Sequence, residues 1–523
     1  MRAPALRRAL TALLSLSVLI TSLVALPSAT AEVRRPQQQS LRESATRYEA
    51  EAATYSAGST VDTDHSGFSG TGFVNTPNKV GSAVQWTVNR AQAGPATLAF
   101  GHANGTTANR ALDIAVSGTV TAKNVAVPST GAWTRWRTLV ITANLKAGPN
   151  TIRATATTAN GAPNLDYLDV TAAATDWSKA MVDSTMARYT PTTIGGWSYP
   201  VGLYLYGQYL VYQRTHDPKY LAYIKSWVDR FVDSSGNINN SFNDLDSMLS
   251  GRLLVLLHHE TADNRYKVAA GKIRTRLNTY PRTADGGFWH AGYRQHQLWG
   301  DGVFMVDPFL AEYGREFGDS TYTGKETVDQ LLTYAKHLQR PSGLLRHAYD
   351  EARAQTWADP TTGLAPEVWC RAEGWYGMAV IDVLEAVPAN QPRRAELIAV
   401  LRKLVAGYAQ YQDPSTGRWF QVVDKGNRTD NWTETSCSSM YTFAISRAVQ
   451  RGYVDPSYKA VADRGYQGVL AKISLGTDGR TSLKDISVGT NVGDYQYYAD
   501  RTRATNDFHG LGAFLIMNEQ LNG

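Results

Sequence analysis

Asp217-Pro218-Lys219-Tyr220 returns three times, as Asp263-Asn264-Arg265-Tyr266, Asp319-Ser320-Thr321-Tyr322 and Asp455-Pro456-Ser457-Tyr458. Aspartate is a favoured helix N-cap and proline fits the first helical turn, so each D-x-x-Y copy opens a helix. The copies stand 46, 56 and 136 residues apart, and the last interval holds a degenerate copy, Asn390-Gln391-Pro392. Apolar residues recur at three- and four-residue spacing in Leu221, Ile224, Val228 and Phe231, and again in Leu397, Leu401, Leu404, Tyr408 and Tyr411. That is the period of an amphipathic helix. Each capped helix alternates with one rich in Gly, Trp and other aromatics, so the repeating unit is a helical hairpin. With an opening helix near 176–189, the count reaches about six pairs. Six hairpins closed in a ring make an all-α (α/α)6 barrel over 176–523, with inner helices lining a pocket at one end. An open helical solenoid is the alternative, though solenoids keep a stricter period.

Upstream the texture changes. Val84-Gln85-Trp86-Thr87-Val88 and Leu112-Asp113-Ile114-Ala115-Val116 alternate apolar and other residues, and Thr151-Ile152-Arg153-Ala154 follows a Gly148-Pro149-Asn150 turn. Short alternating strands between such turns predict an all-β sandwich, jelly-roll-like, over 46–172. The boundary falls near Ala172-Ala173-Ala174.

Arg2, Arg7 and Arg8 precede an apolar run that ends near Leu26, and Ala29-Thr30-Ala31 is an A-x-A site. The pattern predicts a secretory signal over 1–31, a linker over 32–45, and a secreted, extracellular chain with no membrane span after cleavage. An uncleaved anchor is the alternative, and Arg7-Arg8 leaves twin-arginine export open. The 523 residues include 43% hydrophobic and 19% charged, which describes a globular chain, and two cysteines are too few for a disulfide scaffold. The formal charge of +6 falls to +3 when the signal's three Arg leave. No basic run or nucleic-acid motif is present, so nucleic acid is excluded as a partner.

Chemistry-bearing residues cluster where loops enter the predicted inner helices. They are Trp197-Ser198-Tyr199, Asn243-Asp244-Leu245-Asp246, Trp299-Gly300-Asp301-Gly302, His347, Trp369-Cys370-Arg371-Ala372-Glu373-Gly374-Trp375 and Glu434-Thr435-Ser436-Cys437. Asp246 and Asp301 come from successive inner helices and can face one another. Crowding two carboxylates raises one pKa, which suits a general acid. Both could instead be helix caps. Arg371 and Trp375 are four apart and share a helix face; Arg suits a substrate carboxylate and Trp a sugar ring. Arg371 could equally pair with Glu434. His290 and His347 lack metal-ligand spacing, so sugar contact or packing is expected of them. Cys370 and Cys437 can form a disulfide in an exported protein, or remain two buried thiols.

Taken in order, Gly286-Gly287-Phe288-Trp289-His290, Gln297-Leu298-Trp299-Gly300-Asp301-Gly302, Gly343 to Glu351, Trp369 to Trp375, Glu434-Thr435-Ser436 and Gly510 to Phe514 resemble glycoside hydrolase family 105, the unsaturated rhamnogalacturonyl hydrolases. The resemblance covers 176–523 and implies the same (α/α)6 barrel. It implies Asp301 as catalytic acid/base with Asp246 as its partner. It places Tyr199, His290, Trp299, His347, Arg371 and Trp375 around the substrate. Gly300 and Ala291 depart from the family's usual residues.

Tyr48-Glu49-Ala50-Glu51-Ala52, Gly67 to Phe73, Ala103 to Arg110, Trp133-Thr134-Arg135-Trp136 and Asn164 to Val170 resemble carbohydrate-binding modules of family 35, with family 6 as relative. The resemblance implies a structural Ca2+ on Glu49, Glu51 and Asp169, which offer the hard oxygens calcium takes. It makes Asn104 and Asn164 candidate sugar contacts.

Together these resemblances imply removal of a Δ4,5-unsaturated galacturonic acid from rhamnogalacturonan lyase products, with no cofactor for catalysis. The implied partners are pectin-derived unsaturated oligosaccharides and plant cell-wall polysaccharide. Protonated Asp301 would donate to C4, and water would add at C5. An unsaturated glucuronyl hydrolase acting on glycosaminoglycan fragments is one alternative. A conventional glycosidase of the same fold is another, and a non-catalytic cell-wall binding protein is the third.

Overall fold

The computed structural model describes residues 45–522, apart from 91–93, 173–175 and 477. The expected signal, and the linker up to residue 44, lie outside the described residues. The chain divides into two compact units, 1–174 and 175–523.

In the first unit two antiparallel sheets enclose one core. One sheet runs Thr60–Asp62, Phe73–Asn75, Asn164–Ala172, Gly94–Ala103, Arg137–Leu145, and Thr46–Glu49 also pairs with Asn164–Ala172. The other runs Thr54–Tyr55, Ala83–Arg90, Gly148–Ala156, Leu112–Val116, Thr119–Val125. Strand side chains alternate between faces, so Val84, Trp86 and Val88 point inward and meet Leu98, Phe100 and Leu168 of the facing sheet. Trp86 and Phe100 pack edge to face at 5.6 Å. The first and last strands are neighbours, with Arg47 opposite Asp169.

The second unit is the ring of hairpins. Its inner helices are Tyr199–Thr215, Gly251–Thr261, Gly302–Phe317, Cys370–Ala386, Thr435–Gln450 and Phe508–Asn522. Each packs on the next, and the sixth returns to the first. The outer helices are Trp177–Arg188, Pro218–Val228, Asn264–Arg276, Ser320–Leu338, Arg394–Gln410 and Lys459–Leu470. The closed ring decides against the open solenoid.

The D-x-x-Y motif starts outer helices and also ties some of them to a neighbour. Asp217 accepts from Lys219 N at 3.2 Å and Asp263 from Arg265 N at 3.1 Å. The buried Tyr220 donates to Asp183 on the preceding outer helix, and Tyr266 to Asp229 at the end of its predecessor. Asp319 departs from the pattern: its carboxylate accepts from Arg274 of the previous outer helix instead of capping. In the degenerate copy the helix begins beyond Pro392, at Arg394, behind a left-handed Arg393.

Deep between the inner helices, Arg252 is 2% exposed, bonds Glu312 and Asp382, and lies 3.7 Å over the Tyr206 ring. Arg252 stands in the first turn of its helix, while Tyr206, Glu312 and Asp382 sit well along theirs, so the cluster ties four inner helices together. The open end is where the loops enter the helix starts.

Candidate active site

Asp244 and Asp246 divide two jobs. Asp244 accepts from Ser247 N at 2.7 Å and serves the local turn. Asp246, in the short 3-10 turn Asp246–Met248, makes no capping bond. Its half-buried carboxylate lies 3.7 Å from His290 Nε2. Asp301 occupies the cap position of the third inner helix, yet its side chain does not cap. Instead Asp301 Oδ2 stands 3.2 Å from His347 Nε2. The two atoms are close but not aligned for a hydrogen bond, so the contact is chiefly electrostatic.

His347 is fully buried, 4.6 Å from Trp369 and edge-on to Trp299. Tyr498 Oη accepts from Gly493 N at 3.1 Å and lies 2.6 Å from His347 Nδ1. A phenol that donates to Nδ1 leaves the ring proton on Nε2, facing Asp301, and this tautomer is assigned from the network.

These surroundings push the two carboxyls apart. Burial, then the charges of Asp301 and Asp244, raise Asp246 to about 8. Burial would raise Asp301 too, but His347 beside it, with the Arg371 charge, brings it below the ordinary aspartate value. The two carboxyls are thus pushed in opposite directions, Asp246 toward holding a proton and Asp301 toward ionisation. That is the opposite of the expected direction, in which Asp301 held the proton. The cause is position: the His347 ring stands 3.2 Å from Asp301, whereas the His290 ring beside Asp246 is 3.7 Å away and burial keeps it neutral.

His290 is buried and stacks on Trp299 at 4.5 Å; burial lowers it to about 4, so it is neutral. Its N–H donates to Gln297 O and its carbonyl accepts from Leu245 N. One residue thus ties the Asp246 turn to the segment that carries Asp301. Tyr199 Oη lies 2.7 Å from His509 Nε2, and His509 Nδ1 lies 2.6 Å from Asp507 Oδ1.

Three expected substrate contacts are placed otherwise. Trp375 is fully buried against Phe304 and Tyr199, so it offers no face to a sugar. Trp299 is covered on one face by His290, and Arg294 lies 4.1 Å from its ring centroid. Arg371 is 1% exposed, donates to Ser487 O and Val488 O, and lies 4.0 Å from Glu434. Its terminal nitrogens hold a loop and do not reach out as a carboxylate clamp. Glu434 holds the same loop by accepting from Ser487 N. Cys370 and Cys437 are disulfide-bonded, with Cα atoms 5.7 Å apart. Sequence reasoning missed Arg294, Tyr498, Asp507 and His509. Tyr498 lies in the short helix Tyr495–Ala499 that no motif covered, and His347 is 151 residues away in the chain.

In the module, Asp169 is not with Glu49 and Glu51. It forms a two-bond pair with Arg47, at 2.8 and 2.7 Å. Asp166 takes the expected place. A β-bulge between Leu165 and Tyr167 breaks the alternation there. Asp166 meets Glu49 at Ser69: Ser69 N donates to Asp166 at 3.0 Å, and Ser69 Oγ donates to Glu49 at 2.8 Å. Thr71 N donates to Glu51 Oε1 at 2.7 Å, while Glu51 Oε2 is buried without a partner. Burial and the two glutamates raise Asp166 to about 6. Asn104 is no sugar contact: it is fully buried, donating to Ala108 O and Val127 O and accepting from Thr106. Asn164 is also buried, opposite Ala103. Arg110 is buried without a carboxylate partner among the described residues, and its guanidinium lies 5.2 Å from the half-buried Trp133 ring.

A closed ring of six helix pairs, with an unlike acid pair at its open end and a β-sandwich before it in the chain, defines an α/α-barrel glycosidase joined to a carbohydrate-binding module. Residues 177–521 match Glycosyl Hydrolase Family 88, and the chain belongs to that family, of the family 88/105 type. Residues 46–173 match the carbohydrate-binding module of family 35. A solved family 105 glycoside hydrolase from C. acetobutylicum is similar at 34% identity and a TM-score of 0.64, over 66% of this chain and 99% of that one. The unsaturated rhamnogalacturonyl hydrolase YesR of Bacillus subtilis is 28% identical over 54% of this chain and 80% of its own length. The exo-beta-D-glucosaminidase of Amycolatopsis orientalis is 49% identical over 23% of this chain, which is 12% of that protein.

Proposed function

We propose that this chain removes a Δ4,5-unsaturated galacturonic acid from the non-reducing end of rhamnogalacturonan lyase products. The observation that carries the reading is the placing of two carboxyls at the helix starts, Asp246 3.7 Å from His290 and Asp301 3.2 Å from His347, neither used as a helix cap. Likeness to YesR supports the choice of rhamnogalacturonan, and pectin-derived oligosaccharides and cell-wall polysaccharide follow as partners.

The substrate's C4=C5 bond is an enol ether, so protonation at C4 places positive charge on C5 and the ring oxygen. Neutral Asp246 supplies that proton and ionised Asp301 takes one from the attacking water. The hydroxyl joins C5, giving a hemiketal. The C5–ring-oxygen bond then breaks to a ketone, and the hemiacetal left at C1 expels the aglycone as an alcohol. In an ordinary glycosidase two carboxylates flank the anomeric bond, one as acid and the other as nucleophile or base, and this route does not require attack there.

The test is loss of the ultraviolet absorbance of the conjugated double bond, with rhamnogalacturonan and glycosaminoglycan lyase products run side by side. Preferential turnover of the former supports the reading. Preference for the latter, or activity on saturated glycosides alone, overturns it.

We further infer that the chain is exported by its 1–31 segment, and that the module holds calcium on Glu49, Glu51 and Asp166. Three carboxylates converge on the Ser69–Thr71 loop, one oxygen of Glu51 is left buried and unpartnered, and Arg47 is occupied by Asp169. Hard oxygens with no competing cation fit calcium. The ion would tie the first and last strands to that loop.

A further inference from the structure

A site for an unsaturated uronic acid must recognise its C6 carboxylate, and Arg371 is occupied by backbone carbonyls. Another cation stands at the same mouth. Arg294 ends a tight turn in which its N–H donates to Ala291 O at 2.9 Å. The turn is fastened to the Asp246 segment, since Gly292 N donates to Asn243 O at 2.7 Å. The half-buried guanidinium lies 4.1 Å from the Trp299 ring centroid, while His290 covers a face of the same ring. Nη2 donates to Asn491 Oδ1 at 2.9 Å, a neutral acceptor. Nε is buried and has no hydrogen-bond partner. Among the described residues, no carboxylate lies within ion-pair distance of Arg294. Its charge nevertheless acts on both Asp246 and His290, which places it within electrostatic reach of Asp246.

A buried N–H without a partner, on a cation without a counterion, over the ring that His290 also covers, is an incomplete arrangement. An anionic ligand group completes it. Arginine's planar fork suits a carboxylate better than a lysine's point charge does. We propose that Arg294 is the residue that recognises the substrate's C6 carboxylate, with Asn491 and the Trp299 face setting the angle of its guanidinium. This rests on the proposed action on unsaturated uronic acids.

Two measurements test it, one without turnover. Calorimetric titration with galacturonic acid and with galactose separates carboxylate recognition from sugar recognition. Wild-type protein is expected to prefer galacturonic acid, Arg294→Gln to lose that preference, and Arg294→Lys to keep part of it. In kinetics with the unsaturated disaccharide, Arg294→Gln is expected to raise KM by about tenfold or more, with a much smaller change in kcat. Thermal melts of both variants report folding. The proposal is overturned if wild type shows no preference for galacturonic acid, or if Arg294→Gln keeps it. It is also overturned if Arg294→Gln weakens both sugars equally, which would mean that Arg294 only props Trp299. A wild type that turns over no unsaturated substrate removes the proposed reaction, while the titrations still decide the role of Arg294.

Discussion

His347 Nε2 stands 3.2 Å from Asp301 Oδ2. This contact makes the Asp246 and Asp301 carboxyls unlike. It pulls Asp301 toward ionisation, while Asp246, whose His290 neighbour at 3.7 Å is driven neutral by burial, is pushed toward its protonated form. The asymmetry comes from a buried ring whose tautomer is set by Tyr498, far away in the chain.

Asp301→Asn removes the ionised member and is expected to lower kcat by roughly a thousandfold or more. The melting temperature should stay near wild type, because Asp301 caps no helix through its side chain. Near-full activity on an unsaturated rhamnogalacturonan disaccharide would sink the assignment.

The pH profile follows from Asp246. Its folded pKa of about 8 is above the ordinary 3.8, so the neutral acid is present below about 8 and lost above it. The rate constant kcat/KM should therefore fall as pH rises through about 8. The linked stability has the same sign: fully present below the unfolded value and lost as pH rises through about 8. A rate profile flat to pH about 10 would count against Asp246 as the donor.

Tyr498→Phe removes the hydroxyl beside His347 Nδ1 and frees the ring's tautomer. Asp301 then loses part of what holds its pKa down. The acidic limb of kcat/KM should move to higher pH, with an activity loss of about ten- to a hundredfold at neutral pH. An unmoved limb would show that the Tyr498 hydroxyl only packs.

Calcium should stabilise the module in a pH-dependent way. Asp166 has its folded pKa raised to about 6, so without metal its stabilising contribution exists below the unfolded value and is lost as pH rises through about 6. The metal needs the ionised form. The gain in melting temperature on adding Ca2+ should be larger near pH about 7.5 than near about 5. Asp166→Asn should abolish the gain and Asp169→Asn should leave it; the reverse outcome restores Asp169 as ligand.

The Cys370–Cys437 bond closes a loop with a sequence separation of 67. Replacing both by Ser is expected to lower stability by about 2–4 kcal/mol, measured by denaturant unfolding without reductant. An unchanged midpoint would show that the bridge adds nothing to stability.

Much of the fold was legible because its signals are local. A cap, a proline in the first turn and a 3.6-residue period are written within a dozen neighbouring residues, so the hairpins could be counted before they were seen. The degenerate copy at Asn390 misplaced its helix start by a few residues, since nothing in that stretch announces Arg393's left-handed turn. Trp375 and Arg371 illustrate the other limit. Their shared helix face was legible, but whether a face meets substrate or a neighbouring loop depends on residues 487–488 and on Phe304. Asp166 and Asp169 differ by a bulge that has no composition of its own.

By itself, the order of residues determined the two textures, the ring of six hairpins and the two aspartates at its open end, because helix period, strand alternation and capping act between near neighbours. Only the tertiary structure decided which aspartate is pushed toward holding a proton, which arginine keeps free donors, and which module carboxylate joins the glutamates. Protonation, burial and ion pairing are set by whatever lies within a few ångströms in space. For His347 and Tyr498 that neighbour is 151 residues away in the chain.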